Sequence, residues 1–352
     1  MSDMHLHVLL PGAFWPGKDS AEATRGLSLD ALETLIARGH REAGPGCGPE
    51  RWLLERFGIE RQRDWPAAPY SLMGDGGEAG ETVWMRADPV HLRAGRDNVV
   101  LEDASRFDIT RAEAESLAGS ISLHFAGRFS AIAQHAQRWY LRLRANPDIE
   151  TDPIMQASGE AIDAHLPRGA DGLRWQALAN ELQMLMHEHP VNLAREARGE
   201  LPVNGIWMWG AGCLAAPLVR PFLLVAAEDP LARGLARASG AESTRLPAGA
   251  LAFLDAAGDE GEVLLVLDAL RAPFAYADAP DWRERLESIE RDWIGPLAHA
   301  LRRGRIGMLS LHLPGAGRSL GVETTSADLR RFWRRVKPLA AWCGSTAGDR
   351  PN

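Results

Sequence analysis

Apolar positions recur along this chain with two periods, and the changes between them mark out its elements. Leu6 to Leu10 is a short apolar run that meets Pro11-Gly12, which reads as a buried strand leaving a sheet. Leu29, Leu32, Leu35 and Ile36 fall at helical spacing and predict a helix over Leu29 to Arg38, stopped before Gly39. A Gly/Pro loop from Gly44 to Pro49 precedes a second helix through Trp52, Leu53 and Phe57. Pro and Gly then thicken between Trp65 and Gly80, where the chain is expected to cross into a second lobe. There, Thr82 to Met85 and Asn98 to Leu101 read as strands around a turn at Gly95-Arg96-Asp97. Thr110 caps a helix from Arg111 with Glu113 in its first turn, and Ile121 to Phe125 and Trp139 to Leu143 read as strands.

From about Leu173 the rhythm becomes helix, strand, helix, strand. Ile206 to Trp209, Phe222 to Ala226, Val263 to Leu267 and Ile306 to Leu311 are apolar runs of strand length. Helices are expected over Leu231 to Ala238, Arg283 to Leu301 and Ala327 to Trp342. Wholly apolar strands alternating with helices imply an α/β fold, with a mainly parallel sheet covered by helices on both faces. Residues 1–65 and 150–352 are expected to build that core, and residues 66–149 a smaller inserted α+β lobe.

The densest signal is the run His187-Glu188-His189-Pro190-Val191-Asn192-Leu193-Ala194-Arg195, followed by Pro202-Val203-Asn204-Gly205-Ile206-Trp207-Met208-Trp209-Gly210-Ala211-Gly212. Pro190 stops one helix, Asn192 is expected to cap a new short one, and Asn204 to fix the start of the Trp207 strand by side-chain bonds to backbone. Trp207 and Trp209 alternate on that strand and so share a face. His187 and His189, spaced i, i+2, fall on different sides of a helix, so no metal site is predicted from them. Gly210-Ala211-Gly212 lacks the third Gly and the Lys-Ser/Thr pair of a phosphate loop and reads as a tight turn.

These two segments resemble the cofactor-independent, archaeal-type phosphoglycerate mutases of the alkaline phosphatase superfamily. Leu27 to Gly39, Glu81 to Leu101 with Asp108-Ile109-Thr110, Asp229 to Gly240, Ser288 to Leu297 and Arg305 to His312 add supporting similarity. The resemblance implies an alkaline-phosphatase-like core and a chemistry in which two divalent metals, held by Asp and His, work with a Ser nucleophile in phosphoryl transfer. At the positions it points to, this chain has Pro11-Gly12 for Asp-Gly, Pro49 for Ser, Asp152-Pro153-Ile154 for the "PPHD" His, and Arg271 to Ala275 for "DExGH". Of the Asp-His pair only His312 remains, after Leu311. Loss at every position implies a catalytically degenerate relative, similar to a bacterial branch named as mutases or as RpfE-type regulatory proteins. No catalytic residue, metal ligand or cofactor is therefore expected.

Composition narrows the alternatives. The 352 residues carry a net charge of −8, and no basic stripe exists to neutralise phosphates, which argues against nucleic acid or an anionic membrane as partner. Three widely spaced cysteines (Cys47, Cys213 and Cys343) suit a reducing compartment, and no signal or membrane-spanning run is read, so a cytoplasmic protein is expected. The candidate ligand-binding set is Arg86, Arg138, His189, Asn192, Arg195, Trp209 and His312. Arginine forks suit a phosphorylated or carboxylated metabolite, and Arg86 and Arg138 are expected to converge with His189 or His312 at the mouth between the lobes. Scattered surface ion pairs explain the same arginines equally well. The functions left open are a regulatory or metabolite-binding protein, an active phosphomutase or phosphatase with a rearranged metal site, and a scaffold that binds a protein partner.

Overall fold

A computed structural model describes residues 2–15, 19–96, 98–215, 218–315 and 317–343. Its strands run in chain order as β1 (Asp3–Leu9), β2 (His40–Pro45), β3 (Val83–Ala94), β4 (Val99–Asp103), β5 (Phe129–His135) and β6 (Arg138–Leu143). They continue as β7 (Gly205–Gly212), β8 (Leu224–Ala226), β9 (Glu242–Thr244), β10 (Glu260–Val266), β11 (Met308–Leu313) and β12 (Arg318–Thr325). Two compact units result: Met1–Trp52, Arg220–Asp229 and Gly240–Asn352 form the first, and Leu53–Val219 with Pro230–Ser239 the second.

The first unit is built on a seven-stranded sheet in the order β2-β12-β11-β1-β10-β8-β9. The strands from β11 to β9 are parallel, while β12 and β2 close one edge antiparallel. Leu6 and Val8, Val263 and Leu265, and Leu309 and Leu311 point to one face of this sheet, because side chains alternate along each strand. They pack there against Leu32, Leu35 and Ile36 from the helix Asp30–Arg38, and Trp282, Leu286, Leu297 and Leu301 from the helices Ala279–Ile289 and Gly295–Arg302. The expected helix over Arg283 to Leu301 is continuous except for a π turn at Glu290–Ile294. At that turn Glu290 accepts from the backbone N–H of Ala31 (2.6 Å) and Leu32 (3.1 Å), satisfying the open start of the Asp30–Arg38 helix.

The second unit carries a five-stranded sheet, β4-β3-β6-β5, with β7 also paired to β3. Here the sequence reading needs correcting. The Trp207 strand is not part of the parallel core: β7 runs antiparallel to β3, with Trp207 opposite Asp88 and Trp209 opposite Arg86. Short apolar runs look alike in either setting, so the pattern alone could not separate them. This pairing holds residues 150–219 in the second unit, which is larger than the 66–149 lobe expected. The glycines after Trp209 do not form a turn; the strand continues through them with a bulge at Gly210 (φ +68°). A Cβ on Gly212 would press on Pro66 and Gln62, so this stretch is glycine for close backbone approach.

Two expected elements fail for local reasons. Ile121 to Phe125 is not a strand but the end of the helix Arg111–His124, whose buried face is Ala114, Leu117, Ala118 and Ile121. The alternation of Ile121, Leu123 and Phe125 suggested a strand; in the helix Leu123 is simply left 81% exposed. Ala327 to Trp342 is not one helix: only Asp328–Arg330 and Ala340–Cys343 are helical turns. Lys337 precedes Pro338, which disfavours helix there, and Arg334 is drawn instead to the carbonyls of Arg38 and Gly39. No helix among the described residues is long and apolar enough to cross a membrane.

Candidate functional site

In parallel α/β sheets, ligand sites form beyond the carboxyl ends of the strands, where loops converge on helix starts. Just past β8 lies Asp229, just past β10 lies Asp268, and Arg271 opens the short helix Arg271–Ala275. Arg271 pairs with Glu50, the neighbour of Pro49, through Nη2, and Nη1 lies 3.5 Å from Asp229. Burial works against the Arg271 charge, but Glu50, Asp229 and Asp268 together hold it above its ordinary value. Carboxylate charge is nonetheless in surplus. Asp268 is pushed up to about 6, first by burial and then by repulsion from Asp229, with Arg271 only partly offsetting both. Glu50 Oε2 is buried with no hydrogen-bond partner.

This donor set does not fit a two-metal centre. A guanidinium already sits against Glu50 and Asp229, and a dication beside it would face a fixed positive charge at contact range. Pro11, Pro49 and Leu311 offer no ligand atom where Asp, Ser and Asp are implied by resemblance. His312, on β11, is 8% exposed; its Nε2 lies 3.0 Å from His7 Nδ1, and its ring packs 4.6 Å from Trp52. Sequence reasoning passed over Asp268 and Arg271 as site residues. The available signal was a charged Asp-x-x-Arg straight after an apolar strand.

The other candidates lie in the second unit and fall into two groups. Arg86, on β3, is buried with both Nε (3.1 Å) and Nη2 (2.5 Å) on Asp88. The Trp209 indole N–H donates to the second oxygen of Asp88 at 2.7 Å, and the guanidinium lies 5.2 Å from the Trp209 ring and 5.3 Å from Tyr140. Burial disfavours the charge on Arg86, yet Asp88 holds the guanidinium protonated, above its ordinary value. Arg138, 26% exposed, clamps Asp75 through Nε and Nη2 (2.9 and 2.7 Å), and Tyr140 Oη donates to the same carboxylate at 2.7 Å. Burial raises the Asp75 pKa, but the bonds from Arg138 and Tyr140 outweigh it and bring it below the ordinary carboxylate value. Two cations therefore face two anions.

The second group is the clasp around the helix Pro190–Ala197. Asn192 is not its cap. His189 holds that position and accepts from the Val191 N–H at 3.2 Å, because Pro190 at the first helical position puts the cap one residue earlier. His189 Nε2 meets Ser120 Oγ at 2.9 Å, and burial lowers the His189 pKa. Asn192, 1% exposed, donates to the carbonyls of Met186 (2.7 Å) and Val203 (2.8 Å) and accepts from the Val203 N–H (2.9 Å). Arg195, also 1% exposed, donates from Nε to Leu201 O, from Nη1 to Glu113 and from Nη2 to Asp108 O, all within 3.0 Å. Asn204 behaves as its position suggested, bonding the N–H (2.6 Å) and carbonyl (3.0 Å) of Leu92. His189, Asn192 and Arg195 thus tie the helix Pro190–Ala197 to its surroundings, each through its own partners, and Arg86, Arg138 and Trp209 bond to Asp75 or Asp88. His312 belongs to the other unit.

No family profile matches the chain. It is 32% identical over 347 residues to 2,3-bisphosphoglycerate-independent phosphoglycerate mutase 2 of Methanothermobacter thermautotrophicus, covering 87% of this chain and 83% of that protein. The mutase of Methanosarcina acetivorans is 28% identical over 308 residues, 83% of this chain and 73% of its own length. With that of Methanosarcina mazei, 29% identical over 243 residues, the match spans 64% of this chain and only 60% of the relative. Among solved structures, the cofactor-independent phosphoglycerate mutase of Thermoplasma acidophilum aligns over 98% of this chain and 96% of its own with a TM-score of 0.51 at 20% identity. PH0037 of Pyrococcus horikoshii aligns over 97% and 93% with a TM-score of 0.60 at 14% identity. The structural likenesses establish a mixed α/β, alkaline-phosphatase-like fold, and the sequence relationship goes further. On the extent and identity of these matches, the chain belongs to the family of 2,3-bisphosphoglycerate-independent phosphoglycerate mutases.

Proposed function

We propose that this chain keeps the mutase scaffold without its phosphoryl-transfer chemistry and serves as a regulatory or metabolite-binding protein. The observation that carries the reading is Arg271, whose guanidinium pairs with Glu50 and Asp229 beyond the strand ends. Metal-assisted phosphoryl transfer needs dications there to neutralise developing charge, and a fixed monocation that is itself paired cannot polarise a transferring group in the same way. The ligand class suggested by the relatives is a small phosphorylated or carboxylated acid. Within the second unit Arg138, paired with Asp75 but 26% exposed, is the cation to test, since Arg86 and Arg195 are buried. A protein partner remains the third use of such a scaffold.

The decisive measurement is a coupled assay of 3-phosphoglycerate and 2-phosphoglycerate interconversion with added Mn²⁺. The expected outcome is no turnover, accompanied by a rise in melting temperature with 3-phosphoglycerate that Arg138→Ala abolishes. The competing reading is an active phosphomutase or phosphatase with a rearranged metal site, which the three clustered carboxylates Glu50, Asp229 and Asp268 favour. Mn²⁺-dependent turnover of about 1 s⁻¹ or more, lost in Asp229→Asn, would establish that reading and end ours.

A further inference from the structure

Strand β1 lies between β10 and β11, with His5 opposite Glu262, His7 opposite Ser310 and Leu9 opposite His312. Spaced i, i+2 on a strand, His5 and His7 share one face, while Leu6 and Val8 enter the core on the other. Both rings converge on one carboxylate. His5 Nδ1 lies 3.1 Å from Glu262 Oε2 and His7 Nε2 lies 2.6 Å from the same oxygen. One donor atom from each of the three side chains falls within 4.8 Å of the others. The ring centroids of His5 and His7 are 4.0 Å apart.

The remaining nitrogens of these rings are held from behind. Ser310 Oγ, on a residue with no exposure, lies 2.8 Å from His5 Nε2, and buried His312 Nε2 lies 3.0 Å from His7 Nδ1. Phe222 sets its edge against the His7 ring at 5.3 Å. Each imidazole is thus oriented through one nitrogen and presents the other, the arrangement by which outer partners fix metal-ligating histidines. A simple ion pair on a sheet face has no need of buried groups behind both rings. Access is also provided, because the Glu262 side chain is 48% exposed and that of His5 18%.

We propose that His5, His7 and Glu262 form a mononuclear site for a d-block dication, Zn²⁺ above all, with a fourth position open to water. Two imidazoles and one carboxylate are a donor set that suits Zn²⁺, and three protein ligands leave one position free. Tetrahedral ligands about 2.0–2.1 Å from zinc stand roughly 3.4 Å from each other, so the ion enters if the 2.6 and 3.1 Å contacts open by less than about 1 Å. Glu262, the exposed member, supplies that movement. In this arrangement His312 does not bind the ion; it positions His7. The site runs counter to the expectation of a chain with no metal ligand, and it is independent of whether the strand-end cluster turns over phosphoglycerate.

The test uses the untagged 352-residue chain. Zn²⁺ is titrated in competition with a chromophoric chelator, and Co²⁺ is substituted to read coordination from its visible bands. The expected result is one ion per chain and the intense bands of four-coordinate cobalt. His5→Gln and Glu262→Gln, at partly exposed positions that leave the core untouched, should each weaken binding by about 10-fold or more. Ser310→Ala, a positioning residue, should weaken it less while keeping one ion per chain and the same cobalt spectrum. A wild-type chain that binds Zn²⁺ no more tightly than Glu262→Gln, or a pale six-coordinate cobalt spectrum, overturns the proposal.

Discussion

Arg195, buried, and Arg271, half-buried, are both cations held among carboxylates, and they have opposite surroundings. Each guanidinium nitrogen of Arg195 donates to an acceptor, and two of those acceptors are backbone carbonyls that carry no charge of their own. Arg271 instead sits in a ring where carboxylates outnumber it, leaving Asp268 shifted to about 6 and one oxygen of Glu50 without a partner. A saturated arrangement is what selection for stability produces. A frustrated one, with surplus charge held at strand ends, costs stability, and that cost is what the tests below measure.

The largest test of the contrast removes the clasp. Arg195→Ala leaves Glu113 and the Asp108 and Leu201 carbonyls without their buried donor, and should cost about 3–5 kcal/mol in denaturant unfolding. Asn192→Ala, losing three buried bonds, should cost about 2–3 kcal/mol. Losses under 1 kcal/mol in both would show that the motif is no clasp and turn attention to it as a binding surface.

At the strand ends the sign reverses. The folded state raises the Asp268 pKa from its ordinary 3.8 to about 6, so the native protein holds that proton more tightly than the unfolded chain does. Stability from this group is complete below about pH 4, falls as pH rises towards 6, and is constant above it. Asp268→Asn should therefore stabilise the protein by on the order of 2 kcal/mol at pH 8 and by nothing at pH 4. A pH-independent effect would mean that Asp268 is an ordinary carboxylate and that the frustration is absent. The smallest effect belongs to His189→Ala, which removes a cap and should cost about 1 kcal/mol in the same unfolding measurement. A measurable shift of the Asp268 titration in that variant would show that the two regions are coupled rather than separate.

Much of the architecture was readable from periodicity, since β1, β10 and β11 are apolar runs bounded by turns, and Thr110 with Glu113 forms the capping box its spacing announced. The motif around Asn192 announced a structured junction but not its geometry, because Pro190 moved the cap to His189. What the pattern could not carry was partnership at long range. Nothing local in Ile206–Trp209 says that it pairs with β3, and nothing in Glu50 says that it meets a residue at position 271. The same limit hid the grouping of His5, His7 and Glu262, whose members are adjacent only across strands.

The placement of β1 also has a consequence for how the chain is made. Leu6 pairs with Val263 on one side and Leu309 on the other, so β1 is synthesised well before both of the strands that flank it. Until β10 and β11 emerge, an apolar strand waits with both edges open, which is the condition that invites pairing with another chain. The second unit, nearly continuous from Leu53 to Val219, has all its strands long before then. Nascent chains that have brought residue 240 out of the ribosome should accordingly contain a protease-resistant second unit and an unprotected β1, the strand of the first sheet that needs a chaperone longest.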